Sequence, residues 1–192
     1  TESFVTVRGE QEAMLVTLVN RAAAPLTFTP VAAVPLYGRS ADNLRDHRHV
    51  TSLLHRICVT SNGVIVKPSL SFDERGHREN EMLYFAAANG PDGALPKAIY
   101  PTVETFLGEG GTFLNPEAVR SDKPGTPAGT LIEGREAMGA MAFDAVTLAP
   151  GESIQYVVRF GLTQEAGTLP ALMNVLDTPV KAAAALEEVR QH

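Results

Sequence analysis

Alternation of apolar and polar residues with period two, in short runs broken by Gly, Pro and Asn, constrains this chain more than any other feature. "EAMLVTLVNR" places Met14, Val16 and Leu18 on one face and Leu15, Thr17 and Val19 on the other. A strand buried on both sides reads this way. "NRAAAP" is a turn, and "LTFTPVAAV" restarts the alternation. "NGVIVKPSLSF" opens on an Asn-Gly turn signal and runs on as a β-branched strand. "EMLYFAAAN" is closed by "NGPDG", and "REAMGAMAFDAVTLAPGESIQYVVRFGLT" reads as two strands joined at "APGES". Short strands at this spacing predict an all-β, antiparallel β-sandwich.

One helix is expected, at the C-terminus. Leu186 and Val189 keep helical spacing, Thr178 is suited to the N-cap and Pro179 to the first helical position. That helix starts cleanly and ends without a cap, so the chain is expected to be a piece of something longer. The segment from Pro101 to Gly134 is rich in Gly and Pro, carries few strand signals and is expected to be irregular.

Composition narrows function. A net charge of -6 opposes the basic footprint that nucleic acid or an anionic membrane requires. With Cys58 as the single cysteine, no internal disulfide forms, which suits a cytoplasmic location. No apolar run is long enough to span a bilayer, and the N-terminus carries no signal-peptide pattern.

Against this acidic background, "LYGRSADNLRDHRHVTSLLHR" gathers Arg39, Arg45, Arg48 and Arg56 with His47, His49 and His55. All four cations are arginine, whose planar fork suits phosphate, carboxylate or sugar hydroxyls. Asp42, Asn43 and Asp46 lie between them and can accept from sugar hydroxyls or orient the arginines. A neutralised surface loop is the plainer reading, but it has no need of Arg over Lys. The histidines match no zinc spacing and read as hydrogen-bonding residues of a polar loop. Asp73, Glu74, Glu79 and Glu81 in "SFDERGHRENE" suit a solvated hairpin end better than a carboxylate pair for glycoside hydrolysis. "LGEGGTF" is neither a Walker loop nor a dinucleotide fingerprint; its glycines suit close backbone approach to a ligand or partner subunit. No nucleophile motif is present, and no metal or organic cofactor is called for.

Taken together, "PLYGRSADNLRDHRHVTSLLHRI", "LSFDERGHREN", "YPTVETFLGEGG", "REAMGAMAF" and "LAPGES" resemble the N-terminal β-sandwich domain of glycoside hydrolase family 94 (formerly glycosyltransferase family 36), over about residues 14–192. The family contains inverting cellobiose, cellodextrin and 1,2-β-oligoglucan phosphorylases. The resemblance implies a galactose-mutarotase-like super-sandwich over residues 1–176. Residues 177–192 would start a helical linker toward an (α/α)6 barrel that carries the catalytic Asp. It implies phosphorolysis of β-linked gluco-oligosaccharide, with inorganic phosphate as co-substrate and α-glucose 1-phosphate as product. A homodimer is also implied, with a sandwich loop shaping the acceptor side of the site. "ADNLRDHR" is the best match to that loop. It assigns substrate contacts to Arg39, Asp42, Asn43, Arg45, His47 and Arg48 and no catalytic residue to this chain. A free-standing carbohydrate-binding or structural sandwich is the rival; the absence of Trp counts against it, because sugar-binding modules stack sugar rings on aromatic platforms.

Overall fold

A computed structural model describes residues 1–7, 11–38, 48–73 and 76–192, and at residues 48, 49, 71–73 and 77 the backbone alone. In chain order the strands before the middle segment are β1 Glu2–Val5, β2 Gln11–Val19, β3 Leu26–Phe28, β4 Val31–Pro35, β5 His55–Val59, β6 Gly63–Pro68, β7 Leu70–Asp73, β8 Gly76–Glu79 and β9 Leu83–Asn89. After them come β10 Ala98–Thr102, β11 Leu131–Glu133, β12 Ala137–Ala142, β13 Val146–Leu148 and β14 Ser153–Thr163. The helices are α1 Arg48–Leu53, α2 Val103–Leu107, α3 Glu117–Arg120, α4 Leu169–Asn174 and α5 Pro179–Gln191.

Among the described residues every strand pairing is antiparallel. A seven-stranded sheet, β1-β2-β14-β9-β6-β5-β11, faces a three-stranded sheet, β10-β12-β4. The pairs β13-β3 and β7-β8 stand apart. The expected sandwich is present, and its layers follow from the alternation. In β12, Ala137 and Met141 point into the space between the sheets with Val64, Val66, Ala86 and Val158. Met138, Ala140 and Ala142 point the other way, onto Phe106 of α2 and Ala118 of α3. In β2, Ala13 and Leu15 pack with Val157 against Ala182 and Leu186 of α5, while Met14, Val16 and Leu18 face the inter-sheet core. Phe85 and Ala87 take Leu169 and Met173 of α4. Both sheets are therefore covered on their outer faces by helix, and the strands read as apolar on both sides.

Two expectations change. The stretch after Arg135 holds three strands rather than two: β12 ends at Ala142, and the chain leaves for the separate β13-β3 pair before "APGES" turns it into β14. Apolar residues continue through the break because Phe143 is itself core. The middle segment is not merely irregular. It supplies α2, which has a Thr102/Thr105 capping box, and α3, so the C-terminal helix is not the sole helix. Its glycines are used locally: Gly108 has φ 70° at the end of α2, and a Cβ on Gly111 would lie 1.8 Å from the Leu107 carbonyl oxygen. The Asn62-Gly63 turn leads into β6 as expected, and Gly63 is not at positive φ there. It starts β6, where a Cβ would lie 2.1 Å from the Ala86 carbonyl oxygen of β9.

Buried polar groups join the layers. Asn20 holds the "NRAAAP" turn, donating to the carbonyls of Ala24 (3.0 Å) and Leu148 (2.8 Å) and accepting from the Ala22 amide. Arg159 of β14 is fully buried, and its guanidinium donates to the Met173 carbonyl of α4 and to the Asn89 side-chain oxygen of β9. Burial pushes its pKa down to about 10, against a smaller opposing attraction from Asp177. It fastens α4 to the sheet by bonding a carbonyl that the helix end leaves free.

Candidate functional site

The register brings most of the sequence blocks singled out above to one rim of the sandwich. There β4 ends and β5 begins, β6 and β10 end, and β9 and β12 begin. Backbone hydrogen bonds knit the blocks together. The Leu36 amide donates to the Ala137 carbonyl (3.1 Å), Val103 to Glu136 (2.9 Å), Gly134 to His55 (3.0 Å) and Ser69 to Leu54 (2.8 Å). "PLYG", the return through α1 into β5, the β7-β8 hairpin, the start of α2 and the "REA" turn therefore share one end of the molecule. "LAPGES" is the exception; it sits at the other end, tied to Asn20 by the Gly151 amide (2.8 Å).

Of the residues assigned to substrate, Arg39, Asp42, Asn43, Arg45 and His47 lie outside the described residues, and so does Asp46. Arg48 starts α1, with its side chain outside them. The described flanks locate the two ends of the window. It departs at Gly38, where a Cβ would come within 2.8 Å of Pro68 and 3.2 Å of Tyr84, and it returns through α1 beside them, since His55 pairs with Pro68. Asp73 ends β7, and its side chain and Glu74 also lie outside the described residues.

The described part of this rim carries ion pairs that the sequence alone does not show. Arg56 pairs with Glu133 (3.3 Å), Arg135 with Glu104 (3.2 Å) and Lys67 with Glu79 (4.0 Å), all exposed. Such pairs contribute at most about 1 kcal/mol each to stability. Each pair holds hydrogen-bond donors and acceptors side by side at the surface. Members of each pair are 12 to 77 positions apart in sequence, so only the strand register pairs them. Among the described residues no group of three or more His, Cys, Asp or Glu side chains is arranged to hold a metal ion.

His55 differs from the expected loop histidine. It is 1% exposed, at the first position of β5, and among the described residues neither ring nitrogen has a hydrogen-bond partner within normal geometry. Desolvation pushes its pKa below 6.5, outweighing the nearby backbone of Arg135 and Gly38 and the Glu136 carboxylate, which favour the charged ring. The sign follows: a depressed folded pKa means that the unfolded chain binds the proton more readily, so stability is full above pH 6.5 and falls as pH drops below it. Urea denaturation of the wild type at pH 7.5 and 5.0 is expected to show this loss, approaching at most about 1.4 kcal/mol per pH unit for one proton. His55→Gln is expected to flatten the slope; equal slopes in the two proteins would remove His55 from the account.

Among the described residues no helix is long and apolar enough to cross a membrane. A search of curated proteins finds no match to this chain. A family model described as the supersandwich domain of glycosyl hydrolase 94 matches residues 1–179. The two facing sheets, their helical covers and the rim motifs agree with that match, and the chain belongs to the glycosyl hydrolase 94 supersandwich family.

Proposed function

We propose that this chain is the non-catalytic sandwich domain of an inverting phosphorylase acting on β-linked gluco-oligosaccharides. In this reading a catalytic (α/α)6 barrel of the same polypeptide supplies an Asp as general acid. The Asp proton goes to the glycosidic oxygen as the C1–O bond breaks, and a phosphate oxygen bonds C1 from the opposite face. The products are α-glucose 1-phosphate and a shortened glycan. Phosphate is already an anionic nucleophile, so positive groups must hold it and no base need activate it. The sandwich contributes its motif-bearing rim to the acceptor side, with Arg39, Arg45, Arg48 and His47 donating to sugar hydroxyls or guarding the phosphate path, and Asp42 and Asn43 accepting. The proposed enzyme is a cytoplasmic homodimer.

The observation that supports this reading most is the family match combined with the convergence of four of the five family-like blocks at one rim. The rim's clustered arginines and carboxylates suit neutral sugar and phosphate, and the net charge of -6 disfavours nucleic acid as the alternative polyanion.

Two measurements test it. The native polypeptide, detected by an antibody raised to this chain, is expected to run several times larger than 20.5 kDa. A band at 20.5 kDa would leave the proposed chemistry without its acid. In that larger protein, phosphorolysis of oligosaccharide read as α-glucose 1-phosphate is expected, and Arg45→Ala is expected to lower kcat/KM by at least about tenfold, the scale of one charge-assisted hydrogen bond. Unchanged kinetics would take Arg45 out of the site. Residues 1–192 alone are expected to show neither phosphorolysis nor hydrolysis.

A further inference from the structure

Three of the four tyrosines have structural roles that account for them. Tyr100 is buried and its hydroxyl donates to the Lys123 carbonyl. Tyr156 packs on Phe143 with ring centroids 4.8 Å apart, and Tyr84 packs against the inter-sheet core. Tyr37 differs. It is 42% exposed, and among the described residues its side chain has no hydrogen-bond or ring partner. The alternation that begins in β4 turns it outward: Ala32, Val34 and Leu36 face the inter-sheet core, whereas Ala33, Pro35 and Tyr37 are exposed. Its backbone is nonetheless fixed on both sides. Leu36 is buried in the core and its amide bonds the Ala137 carbonyl. Gly38 is buried so close to Pro68 and Tyr84 that no room is left for a Cβ.

An exposed aromatic ring on a fixed backbone is a preorganised flat apolar surface, because little freedom is lost when a ligand is laid on it. It stands on the motif-bearing rim, two residues before Arg39 and at the same end of the molecule as the Arg56–Glu133 and Arg135–Glu104 pairs. A flat apolar face on a rim of hydrogen-bonding groups suits a β-linked glucosyl ring, whose hydroxyls are equatorial, so that its faces are C–H and its edge is polar. We infer that Tyr37 stacks on a glucosyl ring of the oligosaccharide at the acceptor side of the proposed site. Phosphate has no apolar face and gains nothing from this contact. The inference deepens the proposed function and rests on it for the identity of the sugar.

The native polypeptide tests this, with tetrasaccharides of β-1,2-, β-1,3- and β-1,4-linked glucose as probes. Equilibrium binding is measured by titration calorimetry, and phosphorolysis is read as α-glucose 1-phosphate. Tyr37→Ala is expected to raise Kd and KM for the tetrasaccharide that binds by about fivefold, while kcat and KM for phosphate stay as in the wild type. Tyr37→Phe keeps the ring and is expected to behave as the wild type. The urea midpoint of Tyr37→Ala is expected to match the wild type, because the ring is exposed. Unchanged Kd and KM in Tyr37→Ala would overturn the inference, and so would a Tyr37→Phe as weak as Tyr37→Ala, an equal rise in KM for phosphate, or a wild type that binds none of the three probes. Binding that depends on Tyr37 without formation of α-glucose 1-phosphate keeps the stacking residue and removes the proposed enzyme. Phosphorolysis indifferent to Tyr37 does the reverse.

Discussion

Arg159→Ala is expected to destabilise the domain by about 3–5 kcal/mol, the combined scale of a large buried side chain cut back to a cavity and of a buried acceptor left without its donor. The guanidinium is fully buried and donates to the Asn89 side chain and the Met173 carbonyl, so truncation leaves the Asn89 oxygen without this donor, leaves the Met173 carbonyl with only the longer bond from Asn62 (3.4 Å), and opens a cavity under α4. Both acceptors belong to a wider set: the Asn89 amide nitrogen donates to the Gly93 carbonyl (3.0 Å), and Asn62 reaches the Asn174 side chain (3.1 Å) at the same helix end. Arg159→Met restores most of the volume but replaces neither guanidinium hydrogen bond, and is expected to fall between wild type and Arg159→Ala. Adding Asn89→Ala to Arg159→Met is expected to cost less than the sum of the two single changes, because the residues share one bond. Urea denaturation of the four variants and the wild type measures all of this. A loss below about 1 kcal/mol for Arg159→Ala would show that α4 is held without the guanidinium, by Leu169 and Met173 and the bonds from Asn62.

Gly63→Ala is expected to cost at least about 3 kcal/mol, the upper end of the overpacking range. The added carbon would meet the Ala86 carbonyl oxygen at 2.1 Å and the Ala87 Cα at 2.7 Å. Both are backbone atoms of a central strand, so no side chain can turn aside. β6 and β9 must separate where Gly63 faces Ala87, and the core residues Val64 and Ala86 move with them. Gly151→Ala is the control. Gly151 has φ 80° in the "APGES" turn with nothing within 4 Å of a new Cβ, so its cost is backbone strain alone, about 1–2 kcal/mol. A smaller loss at Gly63 than at Gly151 would mean that the two strands yield without disturbing the core.

The same two positions show how far sequence reading reaches. Asn62-Gly63 was legible as a turn into a strand, and the turn is there, but the reason for glycine is the approach of β9, which no local pattern encodes. Arg159 sits in "QYVVRFGLT" like any outward-facing residue of an alternating strand. It faces inward because α4, beginning only ten residues later, folds back over the face on which it lies. The sequence groups His55 with the polar window because its neighbours in the chain are charged. Its strand position buries it instead.

The sequence by itself determined that the chain is an antiparallel β-sandwich ending in a capped helix. Period-two alternation, turn residues and an N-cap are local physics, and short-range sterics and hydrogen bonding enforce them wherever the strands go. It also carried the family-like blocks whose match identifies the supersandwich. Tertiary structure alone decided which strands pair, that four of those blocks meet at one rim, that Arg56 faces Glu133 and Arg135 faces Glu104, and that Tyr37 stands exposed between two buried neighbours. Those outcomes depend on register between segments tens of residues apart. Register is set by how whole apolar faces fit together, a property of the assembled layers that no single segment contains.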